Sequence, residues 1–443
     1  MSITFSLCTL KRPNYVLGVF VALLFLSRSA WSANLTLKDA ISSAIQNNKE
    51  LQAARQSVEI ARAQLMQSGL WPNPRLEIGR TTDTPFNNEG ENSTSVVISQ
   101  DFPITGRLSS QRDVARVDVA RALAEVNDVE RKLAGNVADT YYGMVILDKQ
   151  IEVRDRLITI DEQLVKTTTE RYKAAEVSEL DANTAMLELQ QLTQERIELE
   201  TQKSTLAAQL NNLLGGTVRE TVEPNDTIPE AVELPLLTEL QKKAIESRPD
   251  LREVLLNVDR AQAEQALASA SRWEDWTATL GVQQERLYIN GAPPQNTDKV
   301  LMLSLSIPLP LFNRNQGKVA AAQASTTQAS QSASALKLRI EIEVASAYQE
   351  VQRLENILTS YTGNMLPLSD RNVNLAQQAY AQGQIPITEV VQAQRQQSDL
   401  HIAYLNVLDQ YLKARVQLAT ATDAYSTYAT HAEEVSTTNS AGY

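Results

Sequence analysis

The chain is poor in the residues that carry most protein chemistry, with one cysteine and two histidines among 443 residues. The cysteine, Cys8, precedes the first apolar run, so we expect neither a disulfide nor a cysteine metal site in the mature chain. His401 lies in a predicted helix, where a lone histidine is more often a packing or surface residue than a ligand. No phosphate loop, Ser-His-Asp set or metal-ligand spacing occurs in the sequence. The sequence therefore predicts no enzyme, no catalytic residue, no cofactor and no resident metal.

Aromatic residues are also scarce, at 5% of the chain, and the net charge is -12. The low aromatic content favours an interior of Ala, Leu, Val and Ile, as in helix bundles. The negative net charge disfavours a nucleic-acid partner. Neither Gly nor Pro occurs between Met144 and Leu214. A continuous helix over about residues 109–173 would be about 95 Å long. An earlier helix is expected from Leu35 to about Gly69.

Long apolar runs are missing after the first 32 residues, so no helix of the mature chain is expected to span a membrane. Residues 1–32 are predicted to be a secretory signal, because Lys11 and Arg12 precede an apolar run of 11 residues. A small-x-small site allows cleavage before Ala33, or alternatively after it. An uncleaved anchor is the other interpretation, which the shortness of the apolar run disfavours.

The sequence does contain a β-hairpin pattern that occurs twice, at about residues 75–102 and 277–307. In the last of these strands Leu301, Leu303 and Leu305 alternate with small or polar residues, as in a half-buried strand. In a transmembrane barrel the apolar face of such a strand meets lipid and the other face meets an aqueous lumen.

The hairpins belong to a tandem duplication of most of the chain. Val137–Tyr141 (VADTY) matches Val344–Tyr348 (VASAY), and Pro103 matches Pro308. Each unit is predicted to contain a helix, a hairpin, a long helix, a turn and a second long helix. The predicted division is a signal peptide (1–32), a first repeat (34–216, long helices at about 109–214), a linker (217–237), a second repeat (238–424, long helices at about 316–424) and a disordered tail (425–443).

Leucines seven residues apart predict a coiled-coil seam in the second long helix. They are Leu192, Leu199, Leu206 and Leu213. A periplasmic structural coiled coil is therefore the alternative from a different functional class, but it would not need two matched amphipathic hairpins.

Taken together, the sequence resembles the TolC family of outer-membrane efflux proteins over nearly all of the mature chain. The resemblance rests on the doubled unit and on Pro72-Asn73-Pro74 before the first strand. It rests also on the strand ends at Pro103 and Pro308 and on helix turns that begin at Tyr172 and Tyr380. It implies a mainly α fold with a β-barrel portion, in which three chains form a 12-stranded outer-membrane barrel joined to a periplasmic α-helical barrel. One chain supplies about four strands, whereas the smallest bacterial barrels have about eight.

The resemblance implies that the protein is the exit duct of a tripartite efflux pump in the outer membrane of a Gram-negative bacterium, extending into the periplasm. The implied partners are two further copies of the chain, a periplasmic adaptor, an inner-membrane transporter of the RND type and outer-membrane lipid. Asn73-Pro74 and the strand ends resemble the heavy-metal efflux branch, so heavy-metal cations are the expected cargo. Drug efflux and type I secretion are alternatives within the same class.

The resemblance also implies a narrow gate just past the two periplasmic helix turns. Matching the family's turns to Tyr172-Lys-Ala-Ala175 and Tyr380-Ala-Gln-Gly383 makes Tyr172, Ala175, Tyr380 and Gly383 the tips on which an adaptor docks.

The same match places Asp181 and Glu389 at inward-facing acidic positions, where three copies of each would ring the pore. The chain departs from the family pattern at Gln392, where a second acid is expected, and at Ile385, where a basic residue would latch the gate. The alternative is that Asp181 and Glu389 are ordinary acids at helix starts, favoured there by the helix dipole.

Overall fold

The structure is a computed structural model that describes residues 34–84, 86, 90–216, 223–225, 234–288, 291–293 and 296–425. The predicted signal peptide (1–32) lies outside the described residues. So do residues 426–443 of the predicted tail and most of the predicted linker.

The described chain is mainly helical with a smaller β portion, as the sequence predicts. The first half contains β1 (Asn34–Leu35), α1 (Leu37–Asn47), α2 (Lys49–Gln67), β2 (Arg75–Thr82), β3 (Asn92–Phe102), α3 (Arg107–Lys173) and α4 (Glu179–Leu213). The second half contains β4 (Glu223–Pro224), α5 (Leu237–Ser247), α6 (Pro249–Ala270), β5 (Trp276–Arg286), β6 (Asp298–Ser306), α7 (Gln316–Ser360), a π-helical turn (Tyr361–Met365), α8 (Leu366–Ala381) and α9 (Ile387–Ala421).

The expectation of one helix from Leu35 to about Gly69 is wrong, because the backbone is extended at Asn48 (φ -60°, ψ 127°) and divides it into α1 and α2. The Asn48 side chain stabilises this break. Its Oδ1 accepts a hydrogen bond from the Leu51 N–H at 2.9 Å, and its Nδ2 donates to the Leu213 carbonyl at 2.9 Å. An asparagine that caps a helix competes with the helical backbone for hydrogen bonds.

The long helix α3 has 67 residues, and its counterpart in the second half runs from Gln316 to Ala381 with one irregularity. Pro367 has no N–H to donate, and its ring would clash with the carbonyl of Gly363 four residues earlier. A wider turn relieves this clash: the Leu366 N–H bonds to the Tyr361 carbonyl, five residues back.

The two hairpins form one antiparallel sheet in the order β2-β3-β5-β6. The central pair, β3 and β5, joins the repeats, with Ile98 opposite Leu280 and Phe102 opposite Trp276. Side chains alternate between an apolar face, which holds Ile98 and Leu280, and a polar face, which holds Ser99 and Thr279. The apolar face is the more exposed of the two.

Three apolar clusters in the described chain involve α3, and the smallest joins Leu164 of α3 to Ile387 and Val390 near the second helical turn. In the first, α1, α2 and the end of α4 bury side chains against α3 around Tyr141. In the second, α5, α6, α7 and α9 pack together around Ile340 and reach α3 at Ile146. Gly135 permits close packing of α3 on α9, since a Cβ there would lie 2.5 Å from Oγ1 of Thr420.

Nowhere in the described ranges is a helix both long and apolar enough to span a membrane.

We expect Asn48→Ala to lower the free energy of unfolding by about 2 kcal/mol, because it removes a helix cap and leaves the part-buried Leu213 carbonyl without its donor. The midpoint of thermal unfolding in detergent, followed by circular dichroism, measures this loss. Asn47→Ala is the matched control, because Asn47 is exposed and bonds only to Ser43 of its own helix at 3.3 Å in the structure. Equal midpoints for the two variants would contradict a stabilising role for Asn48.

Candidate functional site at the helical turns

The turns after α3 and α8 have the same backbone geometry, although their residues differ. Ala175 (φ +60°) and Gly383 (φ +72°) each occupy the left-handed region, and each donates its N–H to the carbonyl three residues back, on Tyr172 or Tyr380. The next N–H reaches the carbonyl five residues back, and all four bonds measure 2.9 Å. This hydrogen-bond pattern ends helices without leaving their last carbonyls unpaired.

The two turns lie side by side at one end of the molecule. The guanidinium carbon of Arg171 lies 5.2 Å from the ring centroid of Tyr380, which links the end of α3 to the end of α8 through a cation–π contact. Arg171 also pairs with Glu176 across its own turn, with 3.2 Å between Nε and Oε2. Tyr172 remains exposed at this end. The structure thus brings together the four turn residues that the sequence identifies.

Asp181 and Glu389 occupy equivalent places, in the first turn of the helix that follows each turn. Asp181 belongs to a capping box: its Oδ2 accepts from the N–H of Ser178 at 3.1 Å, and its own N–H donates to Oγ of Ser178 at 3.2 Å. Glu389 is exposed, and its helix begins at Pro386 without a side-chain cap. Asp181 therefore stabilises a helix start in the single chain, whatever else it does.

A cluster of charged residues lies between α3, α4 and α9. The sequence pattern did not predict it. Arg395 on α9 pairs with Glu188 on α4, with 2.6 Å between Nε and Oε2. Arg154 on α3 pairs with Glu195 on α4, with 3.0 Å between Nη2 and Oε2, and also donates to Ser398 on α9. These side chains line a cavity of about 220 Å³.

Asp161 on α3 lines the same cavity and is 2% exposed. The pKa of the Asp161 carboxyl is raised to about 6, mainly by burial and also by the nearby Glu188 carboxylate, while Arg395 partly opposes both effects. Among the described residues, Oδ1 of Asp161 and Oε1 of Gln394 have no hydrogen-bond partner. The cluster therefore holds a carboxyl group that takes up a proton more readily than an exposed aspartate does.

One sequence signal would have located this cluster. On α4 the buried positions Ala182, Ala185 and Leu192 repeat every three or four residues, and Glu188 falls into the same series. An acid at a core position of a helix seam requires a partner on a neighbouring helix. Its partner Arg395 comes from the other repeat, 207 residues away, which the sequence pattern does not predict.

Within the described residues, no group of three or more His, Cys, Asp or Glu side chains is arranged to hold a metal ion. The site therefore consists of exposed turns, acids at helix starts, and a buried ionic cluster that ties together helices from both repeats.

We expect Asp161→Asn to stabilise the protein at pH 8 and to have little effect near pH 4. A raised carboxyl pKa means that the ionised form destabilises the fold above pH 6, and that this penalty disappears as the pH falls through 6 toward the ordinary value. The gain at pH 8 is on the order of 1–3 kcal/mol. Thermal unfolding in detergent at both pH values measures it.

Asp113→Asn is the matched control on the same helix, because Asp113 is exposed and pairs only with Arg116 in the structure. We expect that variant to differ from the unmodified chain by less than about 0.5 kcal/mol at either pH. A loss of stability in Asp161→Asn at pH 8 would contradict a destabilising ionised Asp161, since it would mean that the charged carboxylate is required as a partner of Arg395.

Known proteins resemble this chain in both sequence and fold. The family model described as outer membrane efflux protein matches residues 40–216 and 240–424. The cobalt-zinc-cadmium resistance protein CzcC of Cupriavidus metallidurans is 24% identical over 258 residues, which are 57% of this chain and 59% of that protein. The cation efflux system protein CusC of Escherichia coli O157:H7 is 25% identical over 264 residues, 56% of this chain and 55% of that protein.

The chain thus spans less than two thirds of the length of either relative. Among solved structures, one of CusC superposes with a TM-score of 0.72 at 20% sequence identity and covers 87% of this chain and 91% of its own. That likeness confirms the predicted fold. The family match covers both repeats and most of the sequence. The chain therefore belongs to the outer membrane efflux protein family, and it is an outer-membrane protein, as its sequence resemblance predicted.

Proposed function

We propose that the protein is the exit duct of a tripartite efflux system and that it passively conducts heavy-metal cations out of the cell. The main support for this proposal is that one chain combines an amphipathic four-stranded sheet with a 67-residue helix. This helix extends from the sheet to the exposed turns. A sheet with one apolar face suits a membrane, and the helix provides a long extension away from it. The names of both relatives, which concern metal resistance and cation efflux, support the choice of cargo.

The duct is a homotrimer in this proposal. The outer strands of the sheet, β2 and β6, each pair with a single strand in the described part of the chain, which leaves one open edge on each side. Open edges do not persist in the hydrocarbon region of a bilayer, because their N–H and C=O groups would lack partners. Three copies joined edge to edge form a closed barrel of 12 strands. Exposed apolar residues on the helices, such as Leu187 (67%) and Ile342 (59%), fit the same assembly as contacts between subunits.

The polar face of the sheet becomes the lumen of this barrel, and its charges suit a cationic cargo. Four of its five charged residues are acidic, namely Glu77, Asp101, Glu285 and Asp298. The remaining one, Arg75, is paired with Asp101, with 2.9 Å between Nη2 and Oδ2. An acidic lumen raises the local concentration of cations and disfavours anions.

A periplasmic adaptor docks on the two turns, and an inner-membrane transporter of the RND type supplies the energy. Of the turn residues, Tyr172, Ala175 and Gly383 are exposed and Tyr380 is half-buried beneath Arg171, so a partner from the periplasm would first meet the helices at these turns. Asp181 and Glu389 lie just beyond these turns and form the constriction in the trimer, with three copies of each around the axis.

Deletion of the gene should lower the tolerance of its host to heavy-metal salts, because the cations would lose their exit. Growth over a concentration series of cobalt, zinc, cadmium, copper and silver salts measures this, and a plasmid copy should restore tolerance. Unchanged metal tolerance together with increased sensitivity to dyes and detergents would overturn the metal proposal and would point to drug efflux.

The double variant Asp181→Asn with Glu389→Gln should lower cation selectivity and weaken block by multivalent cations in planar-bilayer recordings. Closely spaced carboxylates attract cations, and neutral amides do not. The fold should survive, since acids at a helix start contribute about 0.3–1 kcal/mol each. The control is Glu179→Gln, an exposed acid two residues from Asp181 in the same first turn. If the double variant and this control conduct alike, the constriction lies elsewhere along the helices.

A further inference from the structure

The apolar face of the sheet is organised in cross-strand rows that change character along the strands. Two successive rows are entirely apolar. The first contains Leu76, Ile98, Leu280 and Leu303, and the second contains Ile78, Val96, Val282 and Leu301. These eight side chains are between 45% and 80% exposed in the single chain, which suits contact with lipid.

On the side of the long helices, a row with Gln100, Ala278 and Leu305 follows the two apolar rows, and an aromatic row lies beyond it. Phe102 and Trp276 face each other across β3 and β5, and Trp71 packs edge-to-face on Phe102 with 6.0 Å between ring centroids. Aromatic side chains of this kind mark the boundary between hydrocarbon and headgroups. The helix side of the band is therefore one interface of the membrane.

On the other side of the band the same face becomes basic. The next row contains Arg80, Thr94, Gln284 and Lys299, and Arg286 lies in the row after it, opposite Asn92. We name Arg80, Arg286 and Lys299 the basic collar. All three are exposed, and none of them forms an ion pair with any described residue.

The collar is not the result of a generally basic sheet, because charge is segregated between the two faces. The four long strands contain eight charged residues, and the three on the apolar face are all cations. The polar face carries four acids and Arg75. Strand residues of opposite sign thus point away from the collar rather than neutralising it.

The two acids in the described parts of the hairpin loops form hydrogen bonds with the backbone of those loops. Oδ2 of Asp83 accepts a hydrogen bond from the Gly90 N–H at 2.9 Å, and Oε1 of Glu91 accepts from the Tyr288 N–H at 3.3 Å. Both carboxylates therefore stabilise loop backbone at the tips of the hairpins.

The spacing of the rows is close to the thickness of a membrane. Thr94 in the collar row and Phe102 in the aromatic row are eight residues apart on β3, about 26 Å along the strand. This length corresponds to about 20 Å along the membrane normal for a strand tilted by about 40°. An outward apolar band of about 25 Å between two interfacial girdles is typical of outer-membrane barrels. The collar then lies at the headgroup level opposite to the helices.

We propose that the basic collar binds phosphate groups of the anionic lipid in the outer leaflet of the outer membrane. Two of its members are arginines, whose planar guanidinium groups form paired hydrogen bonds with phosphate oxygens. This proposal rests on the orientation given above, in which the helices extend into the periplasm. Phosphorylated lipid A is the outer-leaflet lipid with the required chemistry.

The test measures binding of defined lipids to the purified full chain in detergent by native mass spectrometry. Diphosphoryl lipid A should bind more tightly than dephosphorylated lipid A. The triple variant Arg80→Gln, Arg286→Gln and Lys299→Gln should bind diphosphoryl lipid A more weakly, by about five-fold for each neutralised cation, which corresponds to about 1 kcal/mol. Added salt should weaken binding to the unmodified chain and should have little effect on the triple variant.

Arg75→Gln is the matched control, because Arg75 lies on the polar face of the same sheet. It should bind lipid A like the unmodified chain, and circular dichroism should show that all variants fold. Equal affinities of the triple variant and the unmodified chain, or of phosphorylated and dephosphorylated lipid, would overturn the proposal. Because this assay involves no transport, a failure here leaves the efflux proposal standing, and unchanged metal tolerance leaves the lipid proposal standing.

Discussion

The packing of α3 against helices from both repeats is the constraint on which the rest of the structure depends. One helix of 67 residues carries an apolar cluster for each repeat and holds the second repeat through ionic contacts at several levels. Asp118 accepts from Arg260 on α6 at 2.7 Å, and Arg131 donates to the Thr420 carbonyl on α9 at 2.8 Å. Because these contacts are spread along the whole helix, the sheet at one end and the turns at the other form parts of one connected body.

The contacts along α3 change in chemistry from the middle of the helix toward the turns. Around Tyr141 and Ile340 they are apolar and fully buried. Around Asp161, about 18 Å before the end of α3, they are ionic and surround a cavity. The carboxyl group of Asp161 in this cluster can take up a proton, which the apolar contacts cannot do. Closer to the turns, Ile387 and Val390 of α9 form a small apolar cluster with Leu164 of α3, so apolar contacts lie on both sides of the ionic cluster.

Because successive residues of a strand point to opposite sides, the sheet has one apolar face and one polar face. Alternate residues of each strand carry the apolar band on one face and the acidic surface on the other, and a shift of pairing by one residue would exchange them. The side-by-side pairing of β3 with β5 is therefore essential, because it aligns the apolar rows of two hairpins that are distant in sequence. The same alignment gathers Arg80, Arg286 and Lys299 in two successive rows of one face.

The sequence by itself determined the elements of this protein, because their signals are local. Alternating apolar and polar residues predicted the hairpins, and the absence of Gly and Pro predicted the long helix. The internal duplication predicted the second repeat. The helix break at Asn48, whose side chain bonds to Leu213, was not predicted. The turns at Ala175 and Gly383 followed from resemblance and were placed together only by the structure. Tertiary structure alone decided the Glu188–Arg395 pair, the burial of Asp161 and the register of β3 on β5. Each of these joins residues far apart in the chain, and periodicity within one element contains no information about which distant element will pack against it.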